Sequence, residues 1–186
     1  MNINGSNNLN QQKFLDPEAV IKQLGDMSSN KIADFGCGTG YFSIAIAKKI
    51  GDDGTVYALD ILAQRLESVE SQARIQGLNN IITKRVNVEK PGGSGLDDES
   101  VDWVVMKDVL FQNQDKGSMI VEAKRVLKKG GQMLIIEWNT NDDSIGPEKE
   151  LRIAKTDLLS ITEKAELELV KEVTVGDFHY GVVLAK

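Results

Sequence analysis

Gly36, Gly38 and Gly40 stand at alternate positions directly after the apolar run Ile32 to Phe35 and before Tyr41 to Ile50, whose composition suits a helix. Glycine there lets the chain turn sharply from strand into helix and brings backbone near a ligand with no Cβ in the way. Asp34 lies inside the end of the first run. Asp60 closes the next one, about twenty residues on, where a carboxylate can accept hydrogen bonds from two ribose hydroxyls. The pattern predicts a ribose-reading nucleotide pocket. Its spacing also narrows the nucleotide: a dinucleotide fingerprint wants its third glycine at position 41, which here is Tyr41. Asp34, beside the place where a pyrophosphate would lie, would repel it.

Such a turn needs a sheet behind it. The runs Ile32 to Phe35, Val56 to Leu59, Ile81 to Val88, Val101 to Met106 and Met133 to Trp138 read as buried parallel strands. Between them Tyr41 to Ile50, Leu62 to Ile75 and a stretch with Met119, Ile120, Ala123, Val126 and Leu127 repeat apolar residues every three to four positions, as helices do. Gly51, Gly77 and Gly130 stand just past these helices, where a left-handed cap suits glycine. Asp16 followed by Pro17 predicts a short helix ending near Gly25. Lys90 to Ser100, with Gly92, Gly93 and Gly95, is expected to be a loop replacing most of one helix. After residue 138, Asn139 to Pro147 is turn-rich and Lys149 to Lys164 predicts one helix. Leu167 to Val175 and Tyr180 to Ala185 predict a hairpin joined at Gly176 and Asp177. The expected class is α/β: a doubly wound, Rossmann-like, mostly parallel seven-stranded sheet with an antiparallel C-terminal hairpin and helices on both faces. Residues 14–186 are expected to form one domain, after a mobile segment at 1–13 rich in Asn, Gln, Ser and Gly.

Composition removes several classes of function. With 186 residues, 41% of them hydrophobic, the chain can bury a single core. No stretch reaches the roughly 18 uninterrupted apolar residues of a membrane span, and the first residues lack the order of a signal peptide, so a soluble, cytoplasmic protein is expected. One cysteine, Cys37, rules out an internal disulfide framework, and one histidine, His179, makes a dedicated zinc site improbable; no metal is expected. A net charge of -6 opposes binding to phosphate backbones, so nucleic acid is not the expected partner.

Ala33-Asp34-Phe35-Gly36-Cys37-Gly38-Thr39-Gly40 resembles the first motif of the class I S-adenosylmethionine-dependent methyltransferases. An acidic crevice suits that cofactor, which carries a sulfonium and a zwitterionic amino-acid tail where a dinucleotide carries phosphates. The likeness extends over most of the chain. Asp60 matches the acidic second motif, and Asn87-Val88-Glu89 resembles the Asn-Ala-Glu segment of the ubiquinone/menaquinone-type branch. Val101 to Met106 is similar to its fourth strand, and Glu122 to Gly131 to the helix and turn before strand five. The resemblance implies that the turn of Gly36, Cys37, Gly38 and Gly40 faces the methionine moiety, that Asp60 holds the ribose and that Ile61 packs on the adenine. It also implies that Asn87 and the backbone of Val88 read the adenine edge, and that the Lys107 carbonyl faces the methionine ammonium. Tyr41 and Phe42 follow the turn and are placed to wall the sulfonium pocket. The chain departs from the branch at Phe111, where many relatives have histidine, and at Glu166-Leu167, where a Gly-Phe pair commonly stands; the latter predicts different local packing.

The implied reaction is direct displacement of the methyl group onto a small-molecule acceptor, leaving S-adenosylhomocysteine. The protein's part is proximity and in-line alignment. A base is needed only where the acceptor must lose a proton, and Asp108, His179 and Tyr180 are the candidates. Asp108 follows the fourth strand, where ligands of open parallel sheets collect. His179 and Tyr180 fit structural roles equally, and Cys37 fits a small residue in a crowded turn. The acceptor pocket is expected to come from residues 1–13, 139–152 and the hairpin, closing as a lid. Two other readings share the fold: an S-adenosylmethionine-binding protein without turnover, and an NAD-dependent oxidoreductase. An aminopropyl transferase would need a paired acidic polyamine pocket that the sequence does not supply. The acceptor, its reacting atom and the oligomeric state are left open.

Overall fold

The computed structural model describes residues 14–113, 115–141 and 145–186; the expectation of mobility at residues 1–13 lies outside them. Seven strands, β1 (Lys31–Phe35), β2 (Thr55–Asp60), β3 (Ile81–Arg85), β4 (Val101–Lys107), β5 (Leu127–Trp138), β6 (Glu168–Val173) and β7 (His179–Ala185), form one sheet in the order β3-β2-β1-β4-β5-β7-β6. Strands β1 to β5 are parallel, and β7 pairs antiparallel with both β5 and β6. The hairpin therefore folds back on itself, with its second strand inside the sheet and its first on the edge.

Helices α1 (Pro17–Lys22), α2 (Tyr41–Ile50), α3 (Ala63–Ile75), α4 (Lys116–Val126) and α5 (Lys155–Lys164) cover the two faces. Alternation along β4 sorts them. Val104 and Met106 pack with Met119 and Ile120 of α4 and Leu158 of α5, whereas Val105 packs with Ile21 of α1 and Ile46 of α2. Each fully buried side chain of this kind contributes about 1.5–3 kcal/mol, which is why the expected fold class is the one observed. Asp16 caps α1 by accepting from the Glu18 N–H at 3.0 Å, with Pro17 in the first helical position.

Several boundaries differ from expectation. Strand β3 stops at Arg85, because the Asn87 side chain accepts from Glu89 N–H at 3.0 Å and turns the chain. Helix α4 stops at Val126; Leu127 is extended and pairs with Val101 as the start of β5. Gly130 is thus not a helix cap. It takes φ +75 inside a bulge, where β5 runs from Leu127 to Gln132 while β4 advances only from Val101 to Trp103. The helix expected over Lys149 to Lys164 is a single 3₁₀ turn at Lys149–Leu151 and then α5. Arg152 interrupts it: its guanidinium donates to the carbonyls of Asn139 (2.7 Å), Ile145 (2.6 Å) and Pro147 (2.9 Å), tying these three residues together.

Residues 89–100 form a loop, as expected, and α4 holds it. The Glu122 carboxylate, 1% exposed, accepts from Gly92 N–H (2.8 Å), Ser94 N–H (3.1 Å), the Ser94 hydroxyl (2.5 Å) and the Arg125 guanidinium (2.7 Å). Burial alone would raise this carboxyl, yet the hydrogen bonds from Arg125, Ser94 and Gly92 hold it at about 2. Glu122→Ala leaves the Gly92 and Ser94 donors without their acceptor and leaves Arg125 with only Asp98, Ser94 and the Leu96 carbonyl. It is expected to cost roughly 3 kcal/mol in denaturant unfolding, with Glu122→Gln costing less.

Candidate functional site

A cavity of about 430 Å³ opens at the carboxyl ends of β1, β2 and β4 and beside the turn after β3. The glycine turn forms its floor, with φ of +70, +54 and +88 at Gly36, Gly38 and Gly40. The N–H groups of Gly36 and Cys37 both donate to Leu59 C=O, at 2.8 and 2.9 Å. A Cβ on Gly36 would stand 2.7 Å from Val109 Cγ2, and one on Gly40 would stand 2.8 Å from Val69 Cγ2. At Gly38 nothing lies within 4 Å, and that residue lines the cavity. A Cβ at either outer glycine would meet the protein's own side chains, and one at the middle glycine would project into open space.

Two carboxylates flank this floor. Asp60 accepts from Gly38 N–H at 3.0 Å through Oδ2 and from Leu62 N–H at 2.9 Å through Oδ1, so it braces the turn and the start of α3 with lone pairs still available. Asp34 is 2% exposed and accepts from the Ser43 hydroxyl at 2.6 Å. Burial pushes its carboxyl up to about 6, and the nearby Asp60 charge adds to the effect. Burial, reinforced by Asp34 and Asp60, likewise pushes the Cys37 thiol up, so Cys37 is no thiolate nucleophile at neutral pH.

Of the residues singled out for a cofactor, Asp34, Gly36, Cys37, Gly38, Tyr41, Asp60, Ile61, Asn87, Val88 and Lys107 line this one cavity. Gly40 stands behind it. Tyr41 and Ile61 flank the mouth, 59% and 55% exposed. Asp108 also lines the cavity, in a left-handed conformation (φ +54) that Asp tolerates better than most residues. Its Oδ2 receives the Lys107 ammonium and lies 3.2 Å from His179 Nε2. His179, at the start of β7 and 9% exposed, packs on Trp138 with ring centroids 4.1 Å apart, so it reaches the cavity only through Asp108. Tyr180 turns away: its hydroxyl donates to Ile153 C=O at 2.9 Å, and burial pushes the phenol up. Phe111 stands in the 3₁₀ turn after β4, outside the lining.

Phe42, expected at the sulfonium pocket, also lines the cavity, as do Thr39, Arg65, Glu89, Val109, Gln112 and Met119, which sequence reasoning did not single out for a ligand. Nor did it find Glu137, whose Oε1 accepts from Val109 N–H (3.1 Å) and Leu110 N–H (2.7 Å) and so sets the wall at Val109. A carboxylate near the end of an otherwise apolar run was the available signal. Among the described residues no group of His, Cys, Asp and Glu could hold a metal ion, and no helix is long and apolar enough to cross a membrane.

The sequence model of a family described as a methyltransferase domain matches residues 26–174. The demethylmenaquinone methyltransferase of Geobacillus kaustophilus (strain HTA426) is 29% identical over 121 residues, which are 64% of this chain and 50% of that protein. The ubiquinone/menaquinone biosynthesis C-methyltransferase UbiE of Marinomonas sp. (strain MWYL1) is 27% identical over 133 residues, 71% of this chain and 49% of that one. The chain spans about half the length of these curated relatives. A solved SAM dependent methyltransferase from Aquifex aeolicus superposes with a TM-score of 0.83 at 26% identity, over 92% of this chain and 89% of that chain.

Proposed function

We propose that this chain, which belongs to the methyltransferase domain family, transfers the methyl group of S-adenosylmethionine to a small-molecule acceptor by direct in-line displacement. The observation that carries this reading is the floor of the cavity: open space at Gly38, between two carboxylates, Asp34 and Asp60. That pair of acceptors fits a ribose and a positive sulfonium and opposes a pyrophosphate, which disfavours the NAD reading. When bound, the cofactor supplies a methyl group already activated by positive sulfur. Asp60 would hold the ribose hydroxyls, Ile61 and the Asn87–Val88 turn would hold the adenine, the Lys107 carbonyl would face the methionine ammonium, and Asp34 would lie near the positive end of the cofactor. Asp108, backed by His179, would accept a proton from an acceptor that must lose one; Tyr180, committed to Ile153, is the weaker candidate. Proximity and alignment of this kind can be worth about 7–11 kcal/mol.

Calorimetry with S-adenosylmethionine, S-adenosylhomocysteine and NAD tests the binding half: heat with NAD and none with the other two would overturn it. Incubation with methyl-labelled cofactor, first with demethylated quinols because of the relatives' names and then with a metabolite extract, tests transfer. Binding with no labelled product would favour a cofactor-binding role without turnover. The pH dependence follows from Asp34. A cationic ligand needs the carboxylate charged, so affinity should be flat above about pH 6 and fall as pH drops below it, by at most about tenfold per unit. The Asp34→Asn variant should lose that dependence.

A further inference from the structure

We propose that Ser43 is a positioning residue of the cofactor site: from beneath the cavity its hydroxyl fixes Asp34 and stabilises the charge that this carboxylate presents to a ligand. Every buried side chain of α2 is apolar except Ser43, the third residue of the helix, which is fully sealed from solvent and does not line the cavity. A hydroxyl buried there loses its hydration and needs a partner; it donates to Asp34 Oδ2 at 2.6 Å. Asp34 in turn is 2% exposed and lines the cavity, so this bond joins the inside of the helix to the wall that meets a ligand. The helix gains from the contact as well. Its N-cap is Gly40, which has no side chain to offer, and Asp34 stands against the first turn, where the helix dipole favours a negative charge.

Ser43 works against burial. Taking a carboxylate out of water favours its neutral form, and a donor aimed at the charged form reverses part of that effect. Burial raises the Asp34 carboxyl, the Ser43 hydroxyl lowers it, the Asp60 charge raises it and the Ser43 N–H lowers it, with the balance at about 6. Across the sheet Asp34 lies beside Ala58 of β2 and Val105 of β4, neither of them charged. Around the cavity the charged groups are Asp60, Arg65, Glu89, Lys107 and Asp108, with Cys37 and Tyr41 the other titratable ones; Lys107 and Asp108 pair with each other. Ser43 is thus a donor that holds Asp34 charged near neutral pH. Without the hydroxyl, the acid would keep its proton through part of the range in which a cationic ligand needs it ionised. That last step rests on the methyl-transfer reading above; the effect on Asp34 does not.

Carbon NMR of the ligand-free protein, labelled with ¹³C at the aspartate side-chain carboxyl, tests this, with Asp34→Asn assigning the signal. In the wild type the Asp34 carboxyl should titrate with a midpoint near 6. Ser43→Ala should raise that midpoint by about one pH unit, the tenfold weight of one hydrogen bond to a charged group. Ser43→Cys, which keeps a weaker donor of similar shape, should fall between the two. In calorimetry, the pH below which S-adenosylmethionine affinity falls should rise by the same amount in Ser43→Ala, with affinity recovering toward wild type at higher pH. A merely structural role would weaken binding alike at every pH. A midpoint unmoved or lowered in folded Ser43→Ala would overturn the proposal; a carboxylic acid donating to the Ser43 oxygen would give the lowered one. A raised midpoint in a protein that takes up no S-adenosylmethionine would support the hold of Ser43 on Asp34 and overturn the methyl-transfer reading instead.

Discussion

Replacing Asp60 with alanine should weaken the binding of S-adenosylmethionine and S-adenosylhomocysteine by a hundredfold or more, a loss of about 3 kcal/mol. Two effects combine in this residue. Its carboxylate is the acceptor proposed for a ribose diol, and hydrogen bonds to a charged group contribute roughly 1.5–3 kcal/mol each. The same carboxylate fixes Gly38 and Leu62 through their N–H groups, so its loss frees the floor of the cavity and the first turn of α3 together. Asp60→Asn should be nearly as damaging, because an amide offers one oxygen and would turn its NH₂ toward one of the two backbone donors. Asp60 is half-buried, so unfolding stability should fall by only about 1 kcal/mol, the worth of a typical lost hydrogen bond. Calorimetric titration against thermal melts separates the two quantities. Binding within threefold of wild type in a folded Asp60→Ala protein would remove Asp60 from the cofactor site.

What was legible in the sequence is what is local in it. The strand, the glycine turn, the helix and Asp60 follow one another within thirty residues, so spacing alone brings Asp34, Gly38 and Asp60 to one cavity floor. Most of the parallel sheet was legible for the same reason: β1, β2 and β4 are short apolar runs, each followed by its own amphipathic helix. The far wall was not. Asp108 meets His179 across 71 residues, and Glu137 meets Val109 across 28, contacts decided by the order of strands rather than by any pattern along the chain. Leu127 suited the apolar face of α4 as well as a strand, and its pairing with Val101 decided between them. Arg152 fell inside the helix predicted over Lys149 to Lys164. Three carbonyls of the preceding segment take its guanidinium instead, and the helix gives way.

Gly36→Ala and Gly38→Ala, two positions apart in one turn, should fail in different ways. Both residues have positive φ, so alanine brings backbone strain of about 1–2 kcal/mol at either position. At Gly36 the new methyl also meets Val109 Cγ2 at 2.7 Å and Val109 Cβ at 3.3 Å. Valine is stiff about χ1, and the Val109 N–H is held by Glu137, so the contact cannot relax by a rotamer change. Overpacking of this kind adds about 1–3 kcal/mol, and the total lowers the melting temperature by roughly 10 °C for a chain of this size. At Gly38 the methyl meets nothing within 4 Å, so the fold should lose only the strain term. That methyl, however, occupies the space in which the cofactor's methionine portion is proposed to lie, and binding should become undetectable at concentrations that saturate the wild type. Gly40→Ala belongs with Gly36→Ala, since its clash at 2.8 Å is with Val69 of the same fold and not with a ligand. A Gly38→Ala protein that melts close to wild type and still binds S-adenosylhomocysteine with wild-type affinity would place the cofactor elsewhere. One that unfolds as readily as Gly36→Ala would mean that the middle glycine serves the fold rather than the ligand.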